Sequence, residues 1–273
     1  MKLKVNLYGS TFKHNVINGK ITSTQTKLPE YIEYVEDDTG IVNLFVDRAI
    51  YGVKDINNGL ENYGWLLESH GLTKDLEDYF LKDTLSKVAD FKYIFTHNKK
   101  LLDINEKFKF LHPVGFWVDD LKILNKTKLI SMVTSNKKHT PLAQKRYNFA
   151  KKHQNKIDIF GEGFHTIYQK EIGLNNYYFS VVFENDLTPD YFSEKLLDCF
   201  ATKTIPIYLG CKNISKYFDE KGIITFKDFD INNISKSLYF NLQSHVEKNF
   251  KLVQEYRSPE DSMYKNYLEK ISN

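Results

Sequence analysis

Only two cysteines, Cys199 and Cys211, occur among the 273 residues. Two thiols build neither a disulfide scaffold nor a cysteine-rich zinc site, and they suit a reducing compartment. Glycine (13) and proline (6) are sparse, which excludes a linker-dominated or fibrous chain. No stretch approaches the roughly eighteen consecutive apolar residues that a membrane helix needs. Met1 to Tyr8 alternates lysine with apolar residues and lacks the apolar run of a signal peptide. A large excess of charge of either sign is lacking too. Basic side chains number 38 against 35 acidic ones, a net +3, so the surface as a whole announces neither nucleic acid nor membrane. The chain reads as soluble and cytoplasmic, at most peripheral at a membrane surface.

What the sequence does hold is apolar and aromatic material, 41% and 15% of residues, enough for packed cores. The length suits two small domains. In the second half, strand-like runs alternate with helical stretches: Lys128 to Thr134, Lys156 to Phe160, Tyr177 to Glu184, Ile205 to Leu209 and Gly222 to Phe226. These are short continuous apolar runs, which suits strands covered on both faces in a parallel sheet. Thr140-Pro141 is an N-cap followed by proline at the first helical position, and it opens a helix to His153. Ser193 to Ala201 is a second helix, and roughly Ile231 to Tyr256 a long helical close.

The first half alternates less regularly. Strand candidates are Leu3 to Tyr8, Ile41 to Val46, Tyr63 to Glu68, Phe91 to Thr96 and Lys107 to Leu111. Helices are expected near Leu72 to Leu85 and Asn98 to Ile104, and Gly9 to Asp38 has no placement. The polar, lysine-rich stretch Asp119 to Lys128 marks the expected join. This gives domains 1–124 and 125–273, with the last helix free to pack back on the first.

In open α/β sheets, ligands bind outside the carboxyl ends of the strands. That rule selects Glu184 and Asn185, although Asn185-Asp186 also reads as the start of a turn. Ser193 is an N-cap for the next helix and Glu194 suits the positive end of its dipole, whereas Lys195 opposes it. A bound phosphate would reverse that sign; a solvated surface lysine would tolerate it. Arg146 sits among Lys137, Lys138, Lys145, Lys151 and Lys152. That stretch is a solvated helix face, a nucleic-acid patch, or the source of one cation for a diphosphate, a role in which arginine's planar fork surpasses lysine. Gly161-Glu162-Gly163 follows a strand but lacks the third glycine of a dinucleotide fingerprint. Glu68 and His70 stand at a strand terminus and are general-base candidates or ordinary loop residues. Asp37-Asp38 and Asp119-Asp120 read as solvated turns, not a metal site.

Taken in order, Phe183-Glu184-Asn185, Tyr191, Ser193-Glu194-Lys195, Leu196-Leu197-Asp198 and Ile205-Pro206-Ile207-Tyr208 with Gly210 resemble the C-terminal signature of the α-1,3-fucosyltransferase family, glycosyltransferase family 10. Ser135-Asn136, Arg146 and the strand into Gly161 extend the resemblance upstream. WLLESHGL and YIFTHNKKLL carry it more loosely into the first half, as in short members of the family. The resemblance implies a GT-B fold, with two Rossmann-like domains facing across a cleft and the C-terminal one binding GDP-fucose. It implies that Arg146 and Lys195 hold the diphosphate and that Glu194 bonds sugar or ribose hydroxyls. Asn185 and Tyr191 join the donor site, beside Glu184 and Ser193. It further implies an inverting transfer to a glycan hydroxyl, with Glu68 as the base and neither metal nor cofactor beyond the donor. Competing readings are the same fold with another nucleotide sugar, a non-catalytic nucleotide-sugar binder, and a nucleic-acid-binding protein using the Lys137 to Lys152 face.

Overall fold

The computed structural model describes residues 2–13, 15–119 and 125–271. It divides into two compact units, residues 1–115 with 258–273, and residues 116–257. The division falls at Gly115/Phe116, ahead of the join expected at 124/125; residues 120–124 of that join lie outside the described residues.

In the first unit, β1 (Leu3–Tyr8), the small hairpin of β2 (Val16–Ile17) and β3 (Lys20–Ile21), and β4 (Ile32–Val35) occupy the amino-terminal stretch. They precede β5 (Val42–Val46), β6 (Asn62–Leu66), α1 (His70–Lys82), α2 (Thr84–Ala89), β7 (Tyr93–Thr96), α3 (Lys99–Ile104) and β8 (Phe108–Phe110). Six strands form one parallel sheet in the order β4-β1-β5-β6-β7-β8. The run Val-Asn-Leu-Phe-Val of β5 is buried throughout. Leu44 and Val46 pack with Val5, Trp65 and Phe12, whereas Phe45 packs with Phe80, Phe91 and Ile94. Two apolar faces on one strand explain why its sequence does not alternate. The helix expected from Leu72 to Leu85 is two helices, because the Asp83 side chain caps Ser86 N and restarts the chain as α2.

In the second unit, β9 (Lys128–Val133), α4 (Pro141–His153), β10 (Asp158–Phe160), β11 (Tyr177–Phe183), α5 (Glu194–Ala201), β12 (Ile205–Leu209) and β13 (Ile224–Thr225) form a parallel sheet ordered β10-β9-β11-β12-β13 with crossing helices. All seven residues of β11 are buried. Phe179, Val181 and Phe183 pack with Ile205, Ile207, Met132 and Ala150. Thr140 caps α4 as its sequence predicts, accepting a hydrogen bond from Ala143 N at 3.1 Å.

The expected long helix from Ile231 to Tyr256 is broken. Ser235 caps α6 (Lys236–Asn241), and α7 (Gln243–Leu252) begins anew after Leu242. The chain end then belongs to the first unit. Met263 and Leu268 join its core, and the buried Glu260 accepts a hydrogen bond from Ser23 N at 2.8 Å. Among the described residues no helix is long and apolar enough to cross a membrane.

Candidate functional site

The carboxyl ends of β9 and β11 open into a cavity of ≈ 220 Å³, lined among others by Thr134, Ser135, Arg146, Lys170, Glu194 and Lys195. Each charged group reaches it for a local reason. β11 ends at Phe183, and the chain crosses Glu184 to Tyr191 before Ser193 caps α5 by accepting from Lys195 N. Glu184, fully buried, ties this crossover shut: it accepts from Ser193 N at 2.9 Å and from Ser193 Oγ at 2.5 Å. Burial pushes the Glu184 carboxyl up, against the pull of Lys195 and Ser193. Gly210 must be glycine, since a Cβ there would lie 2.3 Å from Tyr208 Oη and 2.5 Å from Glu184 Cγ.

The cation at the start of α5 is matched within the protein. Lys195 Nζ stands 3.3 Å from Glu194 Oε1, 4.0 Å from Glu184 Oε2 and 3.0 Å from Ser193 Oγ. Its conflict with the helix dipole is thus offset by two carboxylates even before a ligand arrives. Burial would raise Glu194, but Lys195 and Lys170 hold it down to about 2. Arg146, on the buried side of α4, donates from Nη1 to Asn185 Oδ1 at 3.2 Å and to Phe183 O at 3.4 Å. Its Nε is buried without a hydrogen-bond partner among the described residues. Burial lowers its proton affinity, yet guanidinium stays charged in proteins.

Of the residues selected from sequence, Arg146, Glu194 and Lys195 line the cavity, whereas Glu184, Asn185, Tyr191 and Ser193 stand behind them and do not. Lys170 was missed. It donates to Glu194 at 3.3 Å and Asp198 at 3.0 Å and lies 4.4 Å from the centre of the Trp117 ring. A signal existed: Glu194 and Asp198 are one turn apart on a buried helix, and two carboxylates there call for a cation. In Gly161-Glu162-Gly163 the first glycine serves close backbone approach, and the second leaves room for the Asn136 side chain. A Cβ on Gly161, whose φ is +114°, would meet Thr134 O at 1.8 Å.

In the first unit, Glu68 lies just past β6, beside a small hollow of ≈ 20 Å³ with His70, Thr96 and His97. His70 Nδ1 is 3.0 Å from the buried Glu77, which accepts from Lys100 at 2.8 Å and Asn98 at 2.5 Å. His70 is thereby directed to Glu77. The second residue that sequence reasoning missed is Asp47, directly after β5. Buried at a left-handed φ of 49°, it accepts from Leu67 N at 2.9 Å, Glu68 N at 3.2 Å and Thr11 Oγ1 at 2.9 Å, and so holds the backbone that presents Glu68. Asp37 takes part in a turn with Thr39, and Asp120 lies outside the described residues. Among the described residues no group of three histidine, cysteine or acidic side chains is arranged to hold a metal ion.

Two parallel α/β units define the fold class. The chain is similar to a solved α1,3-fucosyltransferase structure at a TM-score of 0.52 and 15% identity, covering 98% of this chain and 90% of that one. A structure of an α1,3-fucosyltransferase with GDP gives 0.50 at 14% identity, covering 98% and 90%. Those likenesses show the fold, GT-B. Residues 123–268 match glycosyltransferase family 10 (fucosyltransferase), C-term, and the chain belongs to that family. An α-(1,3)-fucosyltransferase of Helicobacter pylori is 30% identical over 95 residues, 35% of this chain and 20% of that protein. A 3-galactosyl-N-acetylglucosaminide 4-α-L-fucosyltransferase of Bos taurus is 33% identical over 115 residues, 40% and 31% respectively. The matched segments thus span less than a third of these relatives.

Proposed function

We propose that the protein is an inverting glycosyltransferase that moves fucose from GDP-fucose to a hydroxyl of a glycan, of the α-1,3 type. One observation carries this reading: the family-10 segment, residues 123–268, contains the cavity in which Arg146, Lys170 and Lys195 converge at the start of α5. A diphosphate there would meet two or three cations and a helix N-terminus, all suited to an anion. The solved relative described with GDP supports a guanine nucleotide as the leaving group.

In this reading the acceptor oxygen attacks the anomeric carbon as the bond to the diphosphate breaks. Glu68 takes the acceptor proton, and the negative charge growing on GDP is met by Arg146, Lys195 and the amide end of α5. Glu194, kept ionised, accepts from hydroxyls of the sugar or ribose. Fixed cations supply the neutralisation that a metal ion supplies elsewhere. The two buried free thiols support a reducing, cytoplasmic setting.

The test is a thermal-shift panel of GDP, GDP-fucose, GDP-mannose, UDP-sugars and ADP, followed by release of GDP from GDP-fucose without acceptor. Guanine nucleotides are expected to raise the melting temperature, and Lys195→Ala to abolish the rise. Stabilisation by UDP-sugars alone would move the reading to another donor. A shift that survives Lys195→Ala unchanged overturns the site.

A further inference from the structure

Lys170 belongs to none of the motifs that point to a donor. It opens the turn Lys170–Gly173 ahead of β11, and its side chain is only 21% exposed. Its ammonium bridges Glu194 and Asp198, the two acidic residues on one face of α5, while the Trp117 ring covers it. The same segment supplies Trp117 N, which donates to Asp198 Oδ1 at 2.5 Å. Glu194 therefore has two cations, Lys170 and Lys195, each 3.3 Å away. Of the two, Lys195 is the one that also approaches Glu184. The arrangement is redundant within the protein itself, and redundancy in a buried ion cluster has a use. A diphosphate entering the cavity competes with Glu194 for Lys195. If Lys195 were the sole partner, each binding event would strand a buried carboxylate, which is costly.

We propose that Lys170 is a positioning residue of the donor site: it retains Glu194 while Lys195 exchanges that carboxylate for the donor's diphosphate. This inference rests on the reading of the cavity as a nucleotide-diphosphate site. The charged and titratable groups around the exchange are Arg146 from α4, Glu184 after β11, Tyr191, and Lys195, Asp198 and Cys199 on α5. Burial pulls the Lys170 ammonium towards neutrality, but Asp198 and Glu194 more than reverse this. Lys170 therefore stays a cation throughout the working range.

The experiment measures GDP binding by calorimetry for the wild type, Lys170→Met, Lys170→Arg, Glu194→Gln and the double variant Lys170→Met/Glu194→Gln. Methionine keeps the packing against Trp117 and removes the charge. Lys170→Met is expected to weaken GDP binding about tenfold near pH 8. Lys170→Arg should restore binding. In the Glu194→Gln background the Lys170 substitution should have a much smaller effect, because the carboxylate that the two lysines share is gone. A deficit that Lys170→Arg does not restore, or that persists undiminished in the Glu194→Gln background, reports lost packing alone and overturns the proposal, while GDP binding by the wild type keeps the donor reading standing. Failure of the wild type to bind GDP sinks the donor reading instead.

Discussion

The two units use the same device and load it differently. In each, a buried carboxylate at the carboxyl end of a strand ties down the next chain segment: Glu184 holds Ser193 in the second unit, and Asp47 holds Leu67 and Glu68 in the first. Glu184 stands among cations, with Lys195 4.0 Å away and the charge of Arg146 felt at its carboxyl. Asp47 accepts from two amides and a hydroxyl, and the cation acting on it, Arg48, is itself turned to solvent in a pair with Asp75. A strand-end carboxylate is thus a scaffold in both places. What surrounds it decides whether the rim gathers cations, as beside Glu184, or amides and a hydroxyl, as at Asp47.

The sharpest way to separate the two rims is Glu68→Gln. Loss of the proposed general base should lower kcat by about a hundred- to ten-thousandfold, with GDP affinity unchanged in calorimetry. A matching loss of GDP affinity would falsify the division of labour. Next in size is Glu184→Ala. It strips Ser193 N of its acceptor and leaves Lys195 and Arg146 short of a counter-charge, at a cost of about 3 kcal/mol in denaturant unfolding. If the loss came out near zero, the crossover would be held by something other than Glu184. Lys195→Ala should weaken GDP by about 2 kcal/mol while costing little stability, since Lys170 still neutralises Glu194.

The second unit was more legible in sequence than the first, for physical reasons. Its strands lie deep in a parallel sheet, so KLISMVT and YYFSVVF are continuous apolar runs whose ends can be located to a residue or two. Glu184 and Ser193-Glu194-Lys195 then follow from the rule that ligands meet the carboxyl ends of strands. Lys170 was harder to find because its partners are 24 and 28 residues away in the chain: Glu194 and Asp198 call for a cation, but nothing in YQKEIG says that it is this one. Gly9 to Asp38 resisted placement because its strands are two to four residues long, too short to show a period. Asp47 was within reach: it directly follows the apolar run VNLFV, as Glu184 follows VVF. The same rule applied to both halves would have found it.

Asp47→Asn is the smallest expected effect and the one that tests the comparison most finely. Burial raises the Asp47 carboxyl above its ordinary value, although bonds from Glu68, Leu67 and Thr11 oppose that rise. A carboxyl raised by folding contributes stability below its unfolded pKa, and that contribution is lost as pH climbs through the folded value. Once ionised, Asp47 is therefore a net burden, which asparagine removes. The left-handed φ of 49° tolerates asparagine. Asparagine Oδ1 can keep the bonds from Leu67 N and Glu68 N, while its amide donates to Thr11 Oγ1. The variant should match or exceed the wild type in stability at pH 7, read by denaturant unfolding. That advantage should vanish below the ordinary carboxylate range, and kcat should change little, because Glu68 keeps its backbone support. A variant less stable at pH 7 than at pH 4, relative to the wild type, would mean that the charge itself strengthens those amide bonds. The two rims would then differ in degree and not in kind.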